Sequence, residues 1–158
     1  MLKEQLPKKC FLTIELLGGE PTMWPKLIDF LIAMKKLFMS EDGYYTEQKI
    51  CIMIDTNASR TNRWFTKLRD AELWDVAIVN SSFHADFCDP DLFFSNLEIV
   101  SHTYQTNANL MLDPKHFWTV VDLIKRMKGN IPVDFSTKCL RPDLDSHKLI
   151  DGYTEEML

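Results

Sequence analysis

The feature that most constrains this chain is the alternation of short apolar runs with stretches of helical periodicity. Phe11–Leu17, Lys49–Asp55, Asp75–Val79, Ala108–Leu112 and Ile131–Phe135 read as five strands. They begin roughly 25–40 residues apart, the spacing of consecutive βα units. Parallel neighbours need a crossover long enough to hold a helix, and each gap here has room for one. The expected fold is therefore α/β, either an open parallel sheet or part of a (βα) barrel, within a single domain spanning residues 1–158.

The connecting segments carry their own start and stop signals. Trp24–Phe38 places Leu27, Phe30, Leu31, Met34, Leu37 and Phe38 at three- and four-residue steps, with Lys26, Asp29, Lys35 and Lys36 opposite. Thr22 is expected to cap that helix, and Pro25 suits its first turn. Ser59 or Thr61 is expected to cap a second helix near Asn62–Glu72 that buries Trp64, Phe65 and Leu68. Asp89-Pro90 precedes a third at Leu92–Val100, and Asp113-Pro114 a fourth at Lys115–Lys128, closed by Gly129-Asn130. Ser40–Thr46 reads as a polar connection. The tail from Ser136 is turn-rich, with a helical start at Thr154. Glu15 interrupts the first apolar run; it suits a barrel interior or a strand edge, and the residues leave both open.

Composition removes several classes of function. Eighteen basic against 23 acidic residues leave a net charge of −5, and no basic run marks a nucleic-acid surface. No apolar run approaches the roughly 20 residues of a membrane span. The start lacks the apolar core of a signal peptide, so a cytoplasmic location is expected. Cys10, Cys51, Cys88 and Cys139 lie 41, 37 and 51 residues apart, which is neither a close-spaced metal motif nor a disulfide framework.

Polar residues gather where strands are expected to end. Glu20 follows Gly18-Gly19, Thr56 and Asn57 follow the second strand, Asn80 to His84 the third, and Asp113 the fourth. Ligands of parallel α/β folds bind outside the carboxyl ends of strands, and glycine lets backbone approach a ligand closely. Glu20 is thus a candidate acceptor for an ammonium group, against the plainer reading of a solvated acid in a tight turn.

In this order the motifs resemble the radical S-adenosylmethionine (radical SAM) enzymes. Gly18-Gly19-Glu20-Pro21-Thr22 is similar to the family's second-strand motif, whose backbone and acid bind the amino group of SAM. Asp55-Thr56-Asn57-Ala58 resembles the third-strand ending, usually Thr-Asn-Gly or a close variant. Ser81-Ser82-Phe83-His84 resembles the fourth, which helps hold the ribose and carboxylate, and Asn109–Pro114 the fifth. The resemblance runs from about Phe11 to Phe135. It implies a partial TIM-like barrel of about five strands, lacking the family's first strand. It also implies SAM as cofactor, bound by Gly18, Gly19, Glu20, Pro21, Thr22, Asn57, Ser81, Ser82 and His84. The implied activity of a complete protein is reductive cleavage of SAM to a 5′-deoxyadenosyl radical that abstracts hydrogen from a substrate, whose identity stays open.

One departure limits that implication. The family holds a [4Fe–4S] cluster on a CxxxCxxC loop upstream of the glycine motif, and only Cys10 lies there in this chain. Three accounts follow: a fragment of a longer product, a protein whose cluster loop comes from a partner chain, or a non-catalytic SAM-binding or partner-binding module. The first is the expectation, because Met1–Lys9 reads as a connection between elements. A rival chemistry is metal-dependent hydrolysis, with His84, Asp86 and Asp89 as ligands, although His102, His116 and His147 are scattered. Lys138 and Arg141 follow the expected fifth strand, where they could meet a carboxylate or form structural ion pairs.

Overall fold

A computed structural model describes residues 5–39, 48–142 and 148–158. Five strands, β1 (Cys10–Leu16), β2 (Gln48–Thr56), β3 (Ala77–Phe83), β4 (Thr106–Leu112) and β5 (Asp134–Cys139), alternate with four helices. The helices are α1 (Leu27–Phe38), α2 (Asn62–Asp70), α3 (Pro90–Ser101) and α4 (Phe117–Met127). The polar connection expected at Ser40–Thr46 falls outside the described residues, as does His147.

All pairings are parallel, and the strands lie side by side in chain order, β1-β2-β3-β4-β5. With no reversal of order, right-handed crossovers bring every connecting helix to the same face. Burial follows this rule. Ile50, Ile52 and Ile54 of β2, Ala77 and Val79 of β3, and Ala108 and Leu110 of β4 are buried, and the residues between them are more open. Leu27, Leu31 and Phe38 of α1, Phe65 and Leu68 of α2, Phe93 and Leu97 of α3, and Val120 and Leu123 of α4 complete that core.

Two strands sit later in the chain than their apolar content suggested. The expected third strand, Asp75–Val79, runs on through Asn80, Ser81 and Ser82 to Phe83. The expected fifth, Ile131–Phe135, is displaced to Asp134–Cys139, and Ile131 is instead a buried residue just past α4. The turn Pro21–Met23 is a short 3-10 segment, so Thr22 does not cap α1; Lys26 occupies that position without a side-chain bond. Asp89 caps α3 as expected, accepting from the Asp91 and Leu92 amides at 2.9 and 3.0 Å. The tail ends in a single 3-10 turn at Glu155–Met157. No helix among the described residues is long and apolar enough to cross a membrane.

Candidate functional site

The turn after β1 is made by two consecutive glycines, Gly18 at φ +85° and Gly19 at φ +57°. Side chains avoid that backbone region, and a Cβ added at either glycine would meet nothing within 4 Å, so space beside the turn is open. The turn delivers Glu20 against the end of β2. Its Oε1 accepts from the Thr22 amide at 3.1 Å, the Thr22 hydroxyl at 2.6 Å and the Thr56 hydroxyl at 2.6 Å. Oε2 accepts from the Asn57 amide at 2.8 Å. A carboxylate offers about four acceptor positions, so the Oε2 side keeps one to spare. Glu20 therefore joins the first two strand endings, and is more than the solvated turn acid of the plainer reading.

The β2–α2 turn is held from two further directions. Ala58 is fully buried at φ +52°, and its amide donates to the Thr56 hydroxyl at 3.0 Å. Asn57 Oδ1 accepts from the Ser59 amide at 3.0 Å, which is ordinary turn chemistry for asparagine. Asn96 of α3, fully buried, donates through Nδ2 to the carbonyls of Ala58 at 2.9 Å and Arg60 at 2.6 Å. Arg60 reaches back to the Thr22 carbonyl at 2.5 Å. Two βα connections and helix α3 are thus tied into one corner by hydrogen bonds.

Gly18, Gly19, Glu20, Pro21, Thr22 and Asn57 share that corner. Ser81 and Ser82 do not belong to a loop at all, because β3 continues through them. Ser81 is fully buried, and its hydroxyl has no hydrogen-bond partner among the described residues. Ser82 lies on the other, more open face of the strand. His84 stands just past β3; its carbonyl accepts from the Phe87 and Cys88 amides, and its ring meets Phe87 edge-on at 6.0 Å. Cys88 is buried nearby, and burial, with the Asp89 and Glu20 carboxylates adding to it, pushes its thiol up to about 11.

The segment expected to offer metal ligands is engaged otherwise. Asp86 accepts from His116 Nε2 at 3.1 Å and Lys115 Nζ at 3.4 Å, and those hydrogen bonds, His116 first, hold its carboxyl below the usual range. Among the described residues no three His, Cys, Asp or Glu side chains are gathered closely enough to hold a metal ion. Cys10, Cys51, Cys88 and Cys139 are all free thiols, distributed over β1, β2, the turn after β3 and the end of β5.

The sequence reading missed a ladder of polar side chains across the open face of the sheet. Ser136 donates to Asn109 Oδ1 at 2.7 Å, Asn109 to Asn80 Oδ1 at 3.4 Å, and Asn80 to Asp55 Oδ1. These four residues lie in register or one pleat apart on β5, β4, β3 and β2. The available signal was the alternation Asn80-x-Ser82 and Asn107-x-Asn109, which has the period of a strand. Arg60 and Asn96 carried no comparable signal, since their partners are backbone carbonyls.

Compared with protein-family models, with curated proteins and with solved structures, the chain matches none.

Proposed function

We propose that this chain forms the SAM-binding side of a radical SAM-like barrel, with the cluster supplied by residues outside it. The observation that carries the reading is the meeting of two resembling motifs through one side chain. Glu20 of Gly18-Gly19-Glu20-Pro21-Thr22 grips Thr56 and Asn57 of the Asp55-Thr56-Asn57-Ala58 ending, 36 and 37 residues away. Ala58 adds support, because it takes a left-handed conformation at the position where the family pattern usually has glycine. The strand order supports a barrel wall: it is unreversed, with helices on one face.

In this reading the residues of the corner fit the amino-acid end of SAM. The remaining acceptor position of Glu20 and the exposed backbone of Gly18 and Gly19 would take its ammonium group. Ser82 and His84, at the end of β3, would lie farther along the same mouth. When bound and reductively cleaved, SAM supplies a carbon-centred radical for hydrogen abstraction. The cluster does not fit this chain. Three thiolates must converge on one cluster, whereas these four cysteines are dispersed and the Cys88 thiol is held protonated by burial. The same dispersal favours a second reading, a module that binds SAM without cleaving it.

Calorimetric titration tests the proposal. Wild-type chain should bind SAM saturably. Glu20→Gln should weaken that binding about tenfold, one charge-assisted bond, while circular dichroism keeps the α/β signature. A flat titration of folded wild-type chain into the millimolar range would sink the reading. Anaerobic reconstitution with iron and sulfide separates the two versions. The chain alone should develop no cluster absorbance, and adding a peptide with the CxxxCxxC loop should restore it only if the chain belongs to a catalytic assembly.

A further inference from the structure

The four helices do not cover the sheet evenly. α2 packs against α3 and α3 against α4, whereas α1 and α2 barely touch. What joins them is Lys35 of α1, which reaches past the end of α2 to the Glu72 carbonyl at 3.0 Å and Asp75 at 2.9 Å. Lys35 thereby marks the side of α1 that looks towards α2. Ile28, seven residues before it, and Ile32 lie on that side, and both are only partly buried. Nearer the Glu20 corner, Met23 continues this apolar wall; it is 62% exposed, and its sulfur lies 3.5 Å from Arg60 Nη1.

The wall on the α2 side is basic. Arg60 is held there by its bond to the Thr22 carbonyl at 2.5 Å. Arg63 and Lys67 follow three and seven residues later, steps that keep to one side of a helix. Asn62 is turned the other way, to α3, where it donates to Ser95 at 2.9 Å. No carboxylate among the described residues pairs with Arg60, Arg63 or Lys67. The neighbouring acids are engaged elsewhere, Asp70 by Arg69 at 2.8 Å and Asp75 by Lys35. In a chain with five more acids than bases, this row of cations without acids runs against the net charge.

An apolar wall facing a basic one selects an occupant with the complementary halves. A space between two helices takes a third, and a helix with apolar side chains on one face and carboxylates on one flank uses both walls. A nucleic-acid backbone would meet the cations and leave the apolar wall unused. We propose that the gap between α1 and α2 docks an acidic amphipathic helix of a partner protein. Arg60, Arg63 and Lys67 meet its carboxylates, and Met23, Ile28 and Ile32 meet its apolar face. The surface belongs to the helix layer and stands whether or not the Glu20 corner takes SAM.

The probe is a fluorescein-labelled helical peptide of roughly 18 residues, about five turns, with leucines along one face and glutamates on one flank. It is titrated with full-length chain and followed by fluorescence anisotropy. Saturable binding is expected in the micromolar range, weakened about tenfold between roughly 0.05 and 0.5 M salt. Arg63→Glu and Lys67→Glu should each weaken it about tenfold. Lys128→Glu, just past α4, changes the net charge equally and should leave binding unchanged. Met23→Gln should weaken it about threefold. Should a charge-reversed variant fail to fold by circular dichroism, two further peptides decide with wild-type chain. One has every glutamate replaced by glutamine, and the other has the same residues scrambled out of their amphipathic order. Either of them binding as tightly as the probe overturns the proposal. So does no binding of the probe at about 1 mM, or unchanged affinity in the folded variants. An oligouridylate that binds more tightly than the probe and is lost in the same variants overturns it as well. Self-association of the chain alone that disappears in Arg63→Glu gives the gap to a second copy and also overturns it.

Discussion

Ala58 concentrates the requirements of the Glu20 corner in one small residue. It is fully buried, takes a φ of +52°, donates to Thr56 and accepts from Asn96. An L-residue pays about 1–2 kcal/mol for that conformation, and a β-branched one pays more. Ala58→Val adds two methyl groups to a closed space and should lower the unfolding free energy by about 3 kcal/mol in urea titrations. Ala58→Gly should stay within about 1 kcal/mol of wild type, because relief of the backbone offsets the lost methyl burial. The part of this corner legible in the sequence was the glycine turn and its acid. What Glu20 holds was not legible, because two of its four donors are backbone amides, and any residue but proline supplies one.

Elements were legible where one face of the segment carried an uninterrupted apolar signal. β2 has isoleucine at three successive inward positions, and its expected bounds differ from the observed ones by one residue at each end. Asn80, Ser81 and Ser82 resemble a loop and so hide the end of β3 in the sequence, although two of them stand on the open face, where polarity costs little. The apolar signal lies upstream of β5, because the strand's own residues are nearly all exposed, whereas Ile131 before it is buried. Tyr104, between α3 and β4, went unmarked in the sequence and joins two elements in the structure. Its hydroxyl donates to the Leu68 carbonyl at 2.6 Å and accepts from the Leu73 amide at 3.0 Å. Burial first, then the Asp75 and Glu72 carboxylates, push this phenol up to about 12 from 10.0. A raised acid stabilises the fold below its unfolded value, so this contribution is full below pH 10 and lost as pH rises from there towards about 12. Tyr104→Phe should cost about 1–3 kcal/mol at neutral pH by orphaning the Leu73 amide. The variant should also flatten the alkaline fall in chemical-denaturation stability across that window.

At the scale of the whole molecule, the sheet has two edges. β1 pairs only with β2 and β5 only with β4 among the described residues, and Phe11 at the β1 edge is 66% exposed. Open edges with exposed apolar residues invite further pairing, which lysine discourages. Sedimentation velocity should show concentration-dependent association, and Phe11→Lys should shift it towards monomer. Sedimentation independent of concentration in the wild type would count against an available edge. The agreement of strand order with chain order also bears on how the sheet is assembled. Each strand emerging from the ribosome meets its neighbour already made, with one helix between them, so no strand waits for a distant partner. The sheet can therefore lengthen during synthesis one unit at a time, and the last strand made always forms its growing margin.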